Sequence, residues 1–137
     1  MRVTLLALPL PLLACAHVAP AVVTVSTPTV TTTPSPQTSR AVDVVGLHAA
    51  LASGARLIDV RTAEEFADGH VPGALNLPID QLEARIGELP SDLDIYVICQ
   101  SGRRSARAAV TLAAAGLRPI DVTGGTSAWI AAGYPAE

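Results

Sequence analysis

Between Asp43 and Trp129 the chain alternates short aliphatic runs with segments of helical period. That order predicts an α/β domain with a small parallel sheet flanked by helices on both faces, because a strand that returns parallel to its neighbour needs a crossover element. Asp43 can cap a helix running through Leu47, Ala50 and Leu51 to a stop at Gly54. Arg56 to Val60 reads as a buried strand. Thr62-Ala63-Glu64-Glu65 has capping-box spacing for a short helix ending before Gly69. Ala74 to Leu77 is a second short strand, and Ile79 to Ile86 a helix with Ile79, Leu82 and Ile86 on one face. A third strand spans Ile95 to Ile98, and the next helix carries Ala106, Ala109, Val110 and Ala113 at core spacing before stopping at Gly116. Arg118 to Val122 is the last strand, leading through Thr123-Gly124-Gly125 into a helix with Trp129 as a core residue. In sheets of this kind ligands bind at the carboxyl ends of the strands.

Composition narrows what such a domain does. Aromatic residues make up only 3 % of the chain, so its core is aliphatic. The net charge of −3 is close to balance and disfavours nucleic acid as a partner. All 9 basic residues are arginine, which excludes a phosphate-loop lysine and a Schiff-base lysine. His17, His48 and His70 are not spaced with other ligand types, so neither a metal site nor a cofactor is expected.

Ahead of the domain, Met1-Arg2 and the apolar stretch from Val3 to Ala14 are too short to span a bilayer and have the form of a secretory signal, residues 1–14. Leu12-Leu13-Ala14-Cys15 resembles a bacterial lipobox, in which the cysteine is lipidated and becomes the new N-terminus. Ala14-Cys15-Ala16 also fits ordinary signal cleavage after Ala16, and the two readings stay open. From Ala16 to Ser39 the chain is mostly Pro, Thr, Ser, Val and Ala without a single Asp, Glu, Lys or Arg, so residues 15–39 form an anchor and semi-stiff spacer, and 40–137 the folded domain. The expected location is the cell envelope: a periplasmic domain whose membrane attachment is the lipid on Cys15 alone. Ala16 after the lipobox cysteine favours the outer membrane in a double-membraned bacterium.

Cys99 lies where the Ile95 to Ile98 strand meets the loop Gln100-Ser101-Gly102-Arg103-Arg104, which opens the alanine-rich helix. A thiol at a strand end and a helix N-terminus feels the positive end of the helix dipole and nearby backbone N–H donors, and both favour thiolate. Arg103 and Arg104 add positive charge where an anion would approach. With Cys15 committed to the anchor, Cys99 has no partner for an intramolecular disulfide. The loop reads as an anion site built around a nucleophilic sulfur.

Three segments together resemble the rhodanese family: Asp59-Val60-Arg61 with Glu65-Phe66 and Gly69-His70-Val71-Pro72-Gly73-Ala74; Cys99-Gln100-Ser101-Gly102-Arg103-Arg104-Ser105; and Gly124-Gly125-Thr126-Ser127-Ala128-Trp129. The resemblance covers Val42 to Pro135 and is strongest to secreted thiosulfate sulfurtransferases with a Cys-x-x-Gly-Arg-x-Ser loop. It implies a rhodanese-like fold in which Cys99 takes the outer sulfur of thiosulfate as a persulfide and passes it to a thiophilic acceptor such as cyanide or a thiol. Gln100, Ser101, Gly102, Arg103 and Arg104 would then bind the anionic donor. Thiolate attack on a dianion brings like charges together, and arginines with loop N–H groups supply the compensation.

Phosphatases and arsenate reductases of the same fold resemble a Cys, five residues, Arg pattern, whereas position 105 here is Ser. Arg61 and Glu65, one helical turn apart, read as a structural ion pair, and His70 as a residue that bonds backbone in its turn. Ser101 and Ser105 are placed either to hydrogen-bond the persulfide or to cap the helix, and Arg107 faces solvent. The alternative to an enzyme is a sulfur carrier serving a protein acceptor, or a rhodanese-like binding module.

Overall fold

The computed structural model describes residues 40–137. The signal, Cys15 and the spacer lie outside the described residues. Five strands form one parallel sheet: β1 (Arg40–Val42), β2 (Arg56–Asp59), β3 (Leu75–Asn76), β4 (Asp94–Ile98) and β5 (Arg118–Val122), in the order β1-β5-β4-β2-β3. Between them run α1 (Val44–Ala52), α2 (Ala63–Ala67), α3 (Leu82–Arg85) and α4 (Arg103–Ala114), and α5 (Gly125–Ala131) closes the chain. The α/β architecture with helices on both faces is the one the alternation predicts.

β4 is the middle strand, and its alternation divides the core. Ile95 and Val97 face α3 and α4 with Leu82, Ala108 and Leu112, whereas Ile98 faces α1 and α5 with Leu47, Val122 and Trp129. Trp129 is buried as expected, and its indole N–H donates to the Pro135 carbonyl at 2.7 Å, satisfying the one polar atom of a large apolar side chain. The Asp43 cap is present, its side chain accepting from the Gly46 amide at 2.8 Å. The Thr62/Glu65 capping box is reciprocal, with bonds of 3.3 and 3.1 Å.

Three local expectations change. β1 has no counterpart in the sequence reading, because three residues are too few to show a period. The helix expected over 79–86 is a turn at Pro78–Gln81, then α3, then a 3₁₀ turn over Ile86–Glu88, although Ile79, Leu82 and Ile86 do share the face that packs on the core. In α4 the buried face is Ser105, Ala108, Ala109 and Leu112, and Ala106 and Val110 point to solvent. The alanines carry little weight in a periodicity argument; Leu112, the one large side chain that must be buried, sets the helix rotation.

Candidate active site

Cys99 follows β4 directly, at the carboxyl end of the central strand, and is 1 % exposed. Its carbonyl and that of Gln100 are pinned from the other side: the amides of Thr126 and Ser127, at the start of α5, donate to them at 2.8 and 3.1 Å, and the Thr126 hydroxyl adds a bond of 3.3 Å to Cys99 O. Holding the carbonyls away turns the loop amides toward sulfur. Gly102, at φ +94°, lets the backbone fold back so that its amide donates to Cys99 Sγ at 3.1 Å. A Cβ at Gly125, itself at φ +62°, would collide with the Cys99 carbonyl, so the close approach of α5 to the loop requires glycine.

Burial acts to push the Cys99 thiol up, but the Ser105 amide and hydroxyl and the amides of Ser101 and Gly102 together outweigh it, and the net direction is down. In the thiol form the S–H donates to Ser105 Oγ, 3.6 Å away, and the Ser105 hydroxyl donates to Gly102 O at 3.0 Å. Of the two roles the sequence left open, Ser105 takes the one beside the sulfur: Gly102 is the N-cap of α4, and no side chain caps the helix.

The charged residues sort differently from expectation. The ion pair expected between Arg61 and Glu65 does not form. Arg61 instead folds back on Asp59 with bonds of 2.7 to 3.0 Å, both side chains buried, and also donates to Gly69 O and Gln100 Oε1. Glu65 pairs with Arg104 through two bonds, 2.6 and 2.7 Å, and the Arg104 guanidinium pulls its carboxyl down to about 2. The reason is geometric: β2 ends in a turn that brings the Arg61 side chain over its own strand, while Glu65, at the third position of α2, faces the start of α4. Gln100 is a strap, donating to Ser127 Oγ at 2.8 Å and accepting from Arg61 at 3.2 Å. His70 bonds backbone, its Nδ1 lying 2.9 Å from Phe66 O.

Above the loop lies an open cavity of about 500 Å³ lined by Gln100, Ser101, Arg103, Arg104 and Arg107. No carboxylate lines it, and Arg103 is exposed with no ion-pair partner among the described residues. Arg107 faces solvent as expected and also borders this cavity, a role that its position one turn after Arg103 signals. A larger cavity, about 620 Å³, sits at the opposite ends of the strands, around Gly54, Leu75 and Leu93, away from the sulfur. The site gathers every expected residue within the described chain: Cys99, Gln100, Ser101, Gly102, Arg103 and Arg104, with Arg61 and Glu65 as supports.

A thiol held among amide donors at the carboxyl end of a parallel strand, below an arginine-lined cavity, defines an α/β protein with a loop that favours thiolate. Residues 44–132 match the rhodanese-like domain family, and the chain belongs to that family. It is 38 % identical to thiosulfate sulfurtransferase 16, chloroplastic, of Arabidopsis thaliana over 71 % of this chain and 92 % of that protein. To a sulfurtransferase of Allochromatium vinosum it is 40 % identical over 58 % of this chain and 75 % of the relative. Its fold superposes on the crystal structure of a rhodanese-related protein from Thermoplasma volcanium with a TM-score of 0.68 and 34 % identity, covering 72 % of this chain and 97 % of that one. Sulfurtransferases and a putative sulfur carrier protein of Bacillus subtilis are thus its relatives.

Proposed function

We propose that the protein is a thiosulfate sulfurtransferase working by double displacement on Cys99. The thiolate attacks the outer sulfur of thiosulfate, the bond between the two thiosulfate sulfurs breaks, and its electron pair leaves with sulfite. Cys99 then carries a persulfide. A thiophilic acceptor attacks the outer persulfide sulfur, leaving as thiocyanate if cyanide or as a persulfide if a thiolate, and its displacement returns the electron pair to Cys99. The observation that carries this reading is the sulfur itself: it belongs to a residue 1 % exposed and has the Gly102 amide aimed at it at 3.1 Å. A projecting outer sulfur reaches such an atom, whereas a tetrahedral phosphorus or arsenic centre must bring its oxygens into the loop with it. Arg103 supplies the free positive charge that a dianionic donor needs.

The test is intact-mass analysis after thiosulfate treatment, with cyanide turnover followed as thiocyanate. Wild type is expected to gain one sulfur, about 32 Da, as a covalent intermediate requires, and Cys99→Ser to gain nothing and to turn over nothing. No adduct and no thiocyanate would refute the reading. The similarity to a putative sulfur carrier protein supports one further reading, delivery to a protein thiol. An adduct that cyanide does not discharge but a protein acceptor does would favour it.

We place this chemistry in the cell envelope. Residues 1–14 act as the signal and Cys15 as the lipidated N-terminus. Mass spectrometry of the mature N-terminus tests this, since ordinary cleavage after Ala16 leaves an unmodified His17 start.

A further inference from the structure

Asp121 is the acid that neither the nucleophile nor the anion site uses. It is the fourth residue of β5, set between the apolar Ile120 and Val122, and 8 % exposed. Its register partners are Val97 on β4 and Ala41 on β1, which puts it on the face that carries Cys99 and is covered by α4. Oδ1 has no hydrogen-bond partner. No ion pair reaches the carboxyl among the described residues: Arg40 and Arg118 are held by Asp94, Arg104 by Glu65, and Arg103 and Arg107 point outward. Ser105 is the one polar side chain on the buried face of α4, which covers this face of the sheet, and it lies beside the carboxyl; the other titratable groups on this face are Cys99 and, at the amino end of β2, the exposed Arg56.

We propose that Asp121 is a positioning residue for the reacting sulfur: through Ser105, its carboxyl decides whether the hydroxyl hydrogen beside Cys99 is offered to the sulfur or drawn away from it. Ser105 has one hydrogen and three acceptors within its surroundings, Gly102 O, the sulfur and the Asp121 carboxyl. When Asp121 carries a proton it donates to Oγ, and the Ser105 hydrogen is free for a thiolate or persulfide. When Asp121 is ionised it competes for that hydrogen and adds a negative charge to the same dry face. Burial pushes the carboxyl up, with the Ser105 hydroxyl and the Val122 amide pulling the other way, so the exchange falls at higher pH than for an ordinary aspartate. The inference rests on Cys99 being the reacting atom.

The test is the pH profile of iodoacetamide alkylation, read on the Cys99 peptide of the full chain by mass. Asp121→Asn keeps the volume and cannot ionise. It is expected to lower the midpoint of the profile by half a unit or more, making Cys99 about threefold more reactive below the midpoint, one unit being tenfold. Asp121→Val, read in the same way, covers the case in which the amide fails to fold. In a Ser105→Ala background, where only the charge of Asp121 still acts on the sulfur, the Asn substitution is expected to shift the profile clearly less than it does with Ser105 present. Superimposable wild-type and Asp121→Asn profiles would overturn the proposal, as would a shift that survives undiminished in the Ser105→Ala background. Alkylation needs no sulfur donor, so a shifted profile in a protein that takes no sulfur from thiosulfate counts against the proposed function and leaves the role of Asp121 standing.

Discussion

Arg103 and Arg104 follow each other in sequence, yet successive helix residues point about 100° apart, and only one of them faces Glu65. Arg104 is neutralised by two bonds to that carboxylate, while Arg103 stands free over the cavity. Steady-state kinetics are therefore expected to show Arg103→Ala raising the thiosulfate KM several-fold, about 1 kcal/mol for an exposed charge contact, and Arg104→Ala raising it less. Equal effects would show that Arg104 leaves Glu65 to meet the donor. The pair also leaves a mark on stability. The Glu65 carboxyl is held down at about 2, so its contribution is full above the ordinary glutamate range and is lost as pH falls through about 2. With both partners about a third exposed, the contribution is modest. Thermal melts of wild type and Glu65→Gln are expected to differ at pH 6 and to converge at pH 2, the glutamine keeping the capping box.

The loop works because α5 holds it from behind, and that makes the β5–α5 junction as much a part of the site as the cysteine. Gly125→Ala places a methyl against the Cys99 carbonyl in a left-handed backbone, a cost of at least ~1–2 kcal/mol from conformation alone. The Thr126 and Ser127 amides would then lose the two carbonyls they hold. Sulfur loading is expected to fall by more than the loss of stability explains, measured as adduct per folded molecule; a normal adduct in the folded fraction would show that α5 only stabilises. This coupling between residues 27 apart is also where sequence reading stops. The strand–helix alternation and the caps of Asp43 and Thr62 were legible because each is local. The partners of Arg61, Glu65 and Gln100 were not, because they depend on which ends of different elements meet. Spacing suggested Arg61 with Glu65, and the β2 turn instead aims Arg61 at Asp59. Asp121 did leave a sequence signal, a lone acid among Ile120 and Val122, but its neighbour Ser105 is visible only once β5 and α4 are packed.

Because every strand is parallel, the domain has a polarity: the chain enters β1 at Arg40 from the amino ends of the strands, and Cys99 opens at their carboxyl ends. Arg40 thus lies at the end of the sheet away from Cys99, and small-molecule turnover is expected not to depend on the residues that precede it. Delivery to an acceptor fixed at a membrane is a different matter. Reach then matters, and a Pro-rich spacer extends by ~3 Å per residue. Shortening the spacer by deleting residues 20–36 is expected to leave kcat/KM with thiosulfate and cyanide unchanged, while lowering transfer to a membrane-bound thiol acceptor presented on the same vesicles. A loss of both would mean that the spacer contributes to the site itself, and a loss of neither that sulfur is passed to soluble acceptors.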